Sequence, residues 1–236
     1  MANGLSEQLR LGLPEAQGMY DPATEKDGCG IGFVCNIKGK PSHDIITDAL
    51  RMNCCMEHRG GIGYEKNTGD GAGITVGLPN GFLQRIAKAD LGVTLPSKGR
   101  YGVGLVFLPR DPTERSHCKQ IVEHAIQQAG QKLLGWRHLP TEPVLADIGN
   151  AARRAMPAFE QLFIGAADGV EGDAFERKLY VIRKHATQLC RSDRALKERQ
   201  LFYVPSLSSK VLVYKGMLTP DQLGLFFPDL LADDFE

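Results

Sequence analysis

The stretch EKDGCGIGFVCN, residues 25–36, places a cysteine between glycines at the start of a short apolar run. The run from Cys29 to Asn36 predicts a β-strand. Glycines at 28, 30 and 32 keep side chains away from the thiol and allow a sharp backbone turn. Cys29 is therefore a candidate nucleophile, although its local sequence taken alone favours an ordinary cysteine buried in a strand.

Two further segments follow in order. EHRGG, residues 57–61, ends a predicted helix that begins at His43, and NTGDGAGI, residues 67–74, leads into a predicted strand over 72–78. Each has a simple structural explanation. Arg59 near a helix C-terminus suits the helix dipole, and Asp70 can cap its own turn. The residues alone leave both open between a structural role and a role in a site.

Taken together, the three segments resemble the N-terminal glutaminase domain of the glutamate synthase large subunit. That domain is a class II glutamine amidotransferase of the N-terminal-nucleophile hydrolase superfamily. LGWRHLP, FERKLYVIRK and FYVPSLSSKVLVYKGMLTPDQLGLFFPDL match the same family, so the resemblance covers about residues 18–230. It implies that Cys29 is the catalytic nucleophile, and that Gly30, Arg59 and Asp70 bind substrate or organise the site.

The resemblance also implies a maturation step. Residues 1–28 would be a propeptide-like leader, and its removal would make Cys29 the first residue. The new α-amino group, with a pKa near ~8, could then act as general base for a thiol of pKa about 8.5. Nucleophile and base would belong to one residue, as in other N-terminal nucleophiles.

Strands and helices alternate along the chain, which predicts a layered α/β or α+β fold. The resemblance narrows this to α+β: a four-layer αββα sandwich over 29–236, incomplete at its C-terminal side, with an α/β insertion over 98–200. Periodicity predicts further strands at 101–108, 131–140, 161–167, 201–208 and 210–218. It predicts further helices at 111–129, 148–156, 175–190 and 219–224.

Composition excludes several classes of protein. Twenty-eight Lys and Arg residues balance 28 Asp and Glu residues, so no net charge favours nucleic acid or an acidic membrane. No apolar run approaches the ~18 residues of a membrane span, and the N-terminus lacks the pattern of a secretory signal. We therefore expect a cytoplasmic protein with no nucleic-acid or membrane partner.

The six cysteines form no CxxC pair and have no histidines at zinc-finger spacing, which argues against a metal site. We expect thiols, with Cys29 reactive and the other five buried as small apolar side chains. The five are Cys35, Cys54, Cys55, Cys118 and Cys190.

The expected activity is hydrolysis of the L-glutamine side-chain amide to glutamate and ammonia. The family's HSRFSTNT and HNGEIN motifs, which bind the substrate carboxylate and form the oxyanion hole, are absent from the 236 residues. We therefore expect the isolated chain to be inactive without the remaining glutamate synthase domains or a complementing chain. The alternative is a non-catalytic binding or regulatory module. No cofactor is expected in this chain, whereas FMN and an iron–sulfur cluster are expected elsewhere in the parent enzyme.

Overall fold

Two antiparallel sheets organise the part of the chain that the computed structural model describes, which is residues 17–18, 30–59, 61 and 65–236. The first sheet pairs β1 (Ala72–Gly77) with β5 (Val211–Gly216). The second has the order β2–β4–β3, from β2 (Tyr101–Leu108), β4 (Ala158–Gly165) and β3 (Lys132–His138). β4 is central and is antiparallel to both of its neighbours.

Helices of very different length connect these strands. The α-helices are α1 (His43–Cys55), α2 (Asn80–Ile86), α3 (Pro112–Gln128), α4 (Asn150–Ala155), α5 (Gly172–Ser192) and α6 (Gln222–Phe226). Short 3₁₀ helices cover Glu57–Arg59, Arg199–Leu201 and Pro228–Leu231, and a π-helical turn, Ala87–Leu91, extends α2. The helical stretch from Asn80 to Leu91 was not predicted from the sequence.

The start of α3 agrees with its sequence signal. The Asp111 carboxylate accepts hydrogen bonds from the backbone N–H groups of Thr113 and Glu114, both at 2.9 Å. Pro112 occupies the first helical position, where a missing N–H costs nothing. Gly130 follows the helix with φ +71°, a left-handed conformation that suits glycine at a helix end.

The second sheet separates two apolar cores. One face, with Val103 and Phe163, packs towards β1 and β5 in what we call the inter-sheet core. The other face, with Val106 and Leu162, packs under α3 and α5 in what we call the helix-side core. Successive residues of β2 point to opposite faces, so a strand buried on both sides is apolar throughout.

Two predicted strands are wrong. Over 201–208 the structure has the end of a 3₁₀ helix and two isolated bridges to β2, at Tyr203 and Ser208. Pro205 lies between the bridges and has no N–H to continue a ladder. Residues 30–36 also form no strand, and they pair with none of the described strands. Cys29 itself lies outside the described residues.

The prediction of five buried cysteines is wrong for three of them. Cys118 and Cys190 are fully buried in the helix-side core, as predicted. Cys35, Cys54 and Cys55 are exposed. The reason for the pair in α1 is that this helix buries only Ile46, so most of its surface faces solvent.

The helices and antiparallel sheets establish the α+β class. The four-layer sandwich, the domain limits 29–236 and the insertion over 98–200 remain predictions, and almost all of the 1–28 leader lies outside the described residues. No helix in the described ranges is long and apolar enough to cross a membrane.

Candidate active site

Asp70 joins two of the three sequence segments that indicated a site. Its backbone N–H donates to the Gly61 carbonyl at 3.1 Å, and its carboxylate Oδ2 accepts from the Gly61 N–H at 2.9 Å. A side chain at position 61 would press against that carboxylate. The two hydrogen bonds therefore fix the end of EHRGG against the NTGDGAGI loop.

The loop over 65–71 is in turn held by the C-terminal part of the chain. A Cβ at Gly69 would collide with the Leu218 carbonyl, so only glycine fits this close approach. The Gln222 side-chain amide donates to the carbonyls of Asn67 at 3.0 Å and Asp147 at 3.2 Å. Contacts with residues about 150 positions away thus set the shape of the loop.

Glu65 fixes the other end of the loop. Its Oε2 accepts from the Ala151 N–H at 2.9 Å and from the Thr68 hydroxyl at 3.0 Å. The Ala151 and Thr68 hydrogen bonds stabilise the ionised carboxylate and lower the pKa of Glu65. Gly149, just before α4, also donates its N–H to the Asn67 carbonyl at 2.8 Å. Sequence reasoning missed Glu65 and Gln222, because neither belongs to a recognisable local motif.

A groove of about 730 Å³ lies beside these segments. Its walls are residues 30–34, α1, and β1 with Leu78; Lys98, Lys210, Phe235 and Glu236 also line it. We call this the N-terminal groove. Gly30 is exposed and lines it, which is where the structure places that predicted site residue. A groove of this size can admit a small substrate or another segment of polypeptide.

Residues 29–236 match the model of the class-II glutamine amidotransferase family, and the match begins at Cys29. The chain belongs to that family. This confirms the relationship indicated by the three N-terminal segments.

The curated relatives of this amidotransferase-family chain are much longer proteins. It is 43% identical to the Bacillus subtilis glutamate synthase [NADPH] large chain over 224 residues, which cover 94% of this chain and 14% of the relative. It is 36% identical to ferredoxin-dependent glutamate synthase 2, chloroplastic, of Arabidopsis thaliana, covering 93% and 13%. It is 38% identical to glutamate synthase [NADH] of Schizosaccharomyces pombe, covering 92% and 10%. The chain thus spans about one seventh or less of these relatives.

Two predicted site residues of the amidotransferase are only partly described. Cys29 lies outside the described residues. The backbone of Arg59 ends the 3₁₀ helix Glu57–Arg59 directly after α1, whereas the structure does not describe its side chain. Next to it, the His58 Nδ1 lies 3.1 Å from the Cys55 carbonyl, which ties the 3₁₀ helix to the end of α1. The roles of Cys29, Gly30, Arg59 and Asp70 remain predictions.

Two polar features of the groove bear on what it can hold. The Asn53 side-chain Nδ2 is buried and has no hydrogen-bond partner among the described residues. Lys210 already pairs with Asp173, with 2.8 Å between Nζ and Oδ1.

Within the described ranges, no group of three or more His, Cys, Asp or Glu side chains could hold a metal ion.

A buried ionic network supports the inter-sheet core of the amidotransferase. The Arg137 guanidinium donates to both carboxylate oxygens of Asp229, at 2.6 and 3.0 Å, and to Asp90 at 2.6 Å. The Tyr214 hydroxyl donates to Asp229 at 2.8 Å and accepts from Gln161 at 2.8 Å. Sequence reasoning did not find this network, because Arg137 and Asp229 lie 92 positions apart.

The network controls the charges of its members. Burial opposes the positive charge of Arg137, but the hydrogen bonds and charge of Asp229, with help from Asp90, outweigh it and raise the pKa of the guanidinium. Burial, together with the Asp229 charge, raises the pKa of Tyr214 well above its ordinary value. Arg137 therefore stays charged and Tyr214 stays neutral near neutral pH.

Proposed function

We propose that this chain is the glutaminase part of a glutamate-synthase-type enzyme. It would hydrolyse the side-chain amide of L-glutamine to glutamate and ammonia, for use by a synthase module. The observation that carries the proposal is the start of the family match at the glycine-flanked Cys29. The three relatives named above are glutamate synthases, which supports the choice of parent enzyme.

In this reaction, one residue acts both as the general base and as the nucleophile. Once residues 1–28 are removed, the α-amino group of Cys29 takes the thiol proton, and Sγ attacks the amide carbon of glutamine. The proton then passes to the leaving nitrogen, which departs as ammonia and leaves a glutamyl thioester. Water cleaves the thioester, which releases glutamate and restores the thiol. Atoms balance as glutamine plus water giving glutamate plus ammonia.

Around the nucleophile, we assign positioning roles to the residues that shape the site. Asp70 would hold Gly61, and thereby the Arg59 backbone, in a fixed place beside the NTGDGAGI loop. Gly30 would leave room for the substrate on the C-terminal side of the thiol. The carboxylate clamp and oxyanion hole would come from polypeptide beyond the matched region. Loss of one oxyanion donor alone costs about 10²–10³ in rate, so we expect negligible turnover from residues 1–236 alone.

Other features of the parent enzyme remain proposals. A flavin and an iron–sulfur cluster would belong to parts of the enzyme outside this chain, and the enzyme would work in the cytoplasm. Neither nucleic acid nor a membrane is a proposed partner.

The proposal can be tested by labelling. The chain is mixed with the polypeptide that follows the matched region in the Bacillus subtilis relative, and a glutamine-analogue electrophile is added. We expect an intact mass showing loss of residues 1–28 and one label, on Cys29, from which L-glutamine protects. Cys29→Ala should abolish both the label and glutamine hydrolysis. Cys55→Ala, which removes an exposed thiol, should retain both.

Two outcomes would overturn the assignment. One is a label spread over Cys35, Cys54 and Cys55 with no protection by glutamine. The other is glutamine hydrolysis by Cys29→Ala at the original rate. Retention of Met1 or Ala2 at the N-terminus of the reconstituted protein would favour the non-catalytic binding module.

A further inference from the structure

Two fully buried thiols lie in contact within the helix-side core. Cys118 is on α3 and Cys190 is on α5, and both residues are 0% exposed. The Cys190 thiol donates a hydrogen bond to the Cys118 sulfur. No step of the proposed glutaminase reaction uses either residue. The pair is therefore a candidate for a reaction of its own.

Further contacts fix the register between α3 and the end of α5, which pack against each other. The His117 Nε2 lies 2.8 Å from the Asp193 Oδ2. One turn earlier in α3, the Glu114 carboxylate accepts hydrogen bonds from the backbone N–H groups of Lys197 at 3.1 Å and Glu198 at 2.9 Å. The residue numbers rise on one side of these contacts as they fall on the other, so the chain runs antiparallel here. The two thiols occupy the next level of the same series, which holds them face to face.

This arrangement favours a disulfide bond. Such a bond requires two cysteines whose side chains face each other at close range, and thiols in hydrogen-bond contact need only a small shift to reach that geometry. The hydrogen bond also makes the two sulfurs unequal. It stabilises the thiolate of Cys118 and lowers its pKa, whereas the same bond, together with burial, raises the pKa of Cys190. Cys118 is therefore the nucleophile of the pair.

We propose that Cys118 and Cys190 form a reversible disulfide that links α3 to α5 when the protein meets hydrogen peroxide. The peroxide oxidises the Cys118 thiol to a sulfenic acid, and one water is released. The Cys190 sulfur then attacks the Cys118 sulfur, and the displaced hydroxyl leaves with the Cys190 proton as a second water. Two thiols and one hydrogen peroxide thus give one disulfide and two waters. A dithiol reductant restores both thiols by exchange and itself becomes a disulfide.

The end of α5 controls access to the pair. Cys190 lies in the last turn of that helix, which ends at Ser192. Both thiols are fully buried, so peroxide reaches them only when this turn opens. The paired side chains of His117 and Asp193 lie next to the thiols at the surface, where they are 44% and 28% exposed. This pair ties the end of α5 to α3, so its removal should speed the oxidation.

The test maps disulfides in the whole chain after exposure to hydrogen peroxide at neutral pH. Free thiols are alkylated, the chain is digested with trypsin, and linked peptides are identified by mass before and after reduction. Cleavage after lysine and arginine leaves Cys118 in the peptide SHCK and Cys190 in the peptide HATQLCR. The exposed cysteines at 54–55 share a third peptide. A link between α3 and α5 is thereby distinguished from every other pairing.

We expect the SHCK–HATQLCR link in the native chain and its loss on treatment with dithiothreitol. His117→Ala should speed its formation severalfold, because the tie to Asp193 is removed. The matched control is His124→Ala, which changes an exposed histidine on the same helix and should leave the rate unchanged.

The link should also alter the dynamics of the helix-side core. Amide exchange in α3 and α5 should be about tenfold slower in the oxidised chain than in the reduced chain, because the bond restricts the opened states. Cys190→Ala removes one thiol and keeps a small apolar side chain, so it should show no such slowing with peroxide. The comparison of oxidised with reduced original chain stands even if this variant folds poorly.

Three results would overturn the proposal. They are oxidation of the exposed cysteines with no link between α3 and α5, a link that forms only in chain unfolded by urea, and a link that leaves amide exchange in both helices unchanged. Equal rates of linking in His117→Ala and His124→Ala would contradict the control of access by the end of α5. A Cys29 that is inert to the glutamine analogue would overturn the glutaminase assignment and leave the disulfide proposal intact.

Discussion

Phe175 on α5 and Phe33 beside the N-terminal groove are the same residue type, with 0% and 87% of their surfaces exposed. Phe175 belongs to the helix-side core, which is closed by α3, α5, the second sheet and the segment 196–207. Phe33 lines the groove beside the two-stranded sheet of β1 and β5. The difference teaches that one region buries its apolar side chains in a core within the chain, whereas the other leaves large apolar side chains exposed to solvent.

The largest expected difference in the free energy of unfolding is between substitutions of the two phenylalanines. Phe175→Ala should lower the free energy of unfolding by about 3–5 kcal/mol, because it leaves a cavity in a closed core. Phe33→Ala should change it by no more than about 0.5 kcal/mol, because solvent already surrounds the ring. Urea denaturation of both variants measures the effects. Similar losses in the two variants would contradict the contrast between a closed and an open region.

Substitutions of two aspartates compare the contributions of a buried ion pair and an exposed ion pair to the free energy of unfolding. Asp229→Ala should cost about 3 kcal/mol, since it leaves Arg137 charged and buried without its main partner. Asp234→Ala, which breaks an exposed pair with Arg85, should cost less than about 1 kcal/mol. Thermal unfolding of both variants provides the comparison. If Asp229→Ala unfolds at the same temperature as Asp234→Ala, the buried network does not stabilise the fold.

The smallest of the three contrasts concerns the loop that contains Asp70. Asp70→Ala removes the acceptor of the Gly61 N–H and should cost about 1 kcal/mol, whereas Asp70→Asn keeps an acceptor oxygen and should cost less. The direct readout is faster amide exchange at Gly61 in the alanine variant. In the reconstituted enzyme, glutamine turnover should follow the same order. Equal exchange in both variants would show that Asp70 does not hold Gly61.

Local sequence rules predicted the elements that depend on local contacts. The start of α3 followed from an N-cap aspartate, a proline and an acidic residue, and β1, β2 and β5 followed from short apolar runs. The strand expected over 30–36 failed because strand formation needs a neighbour, and no property of CGIGFVCN reveals whether one is present. The helix from Asn80 to Leu91 was missed because its glycine and proline neighbours obscured its period.

The residues of the candidate site show the same difference between local and distant contacts. Motif order was enough to predict the family and to select Asp70, whose partner Gly61 is only nine positions away. Glu65 and Gln222 support the same loop, but their partners are 86 and 155 positions distant, and a single sequence carries no mark of such pairs. The exposure of Cys54 and Cys55 was also unpredictable, because it depends on how little of α1 the rest of the chain covers.

The fit of Gly69 against Leu218, with the Gln222 amide bonded to Asn67, has a consequence for biosynthesis. On the ribosome, residues 65–70 emerge long before the segment that shapes them. This loop cannot reach its final form until translation has passed residue 222 by the length of the exit tunnel.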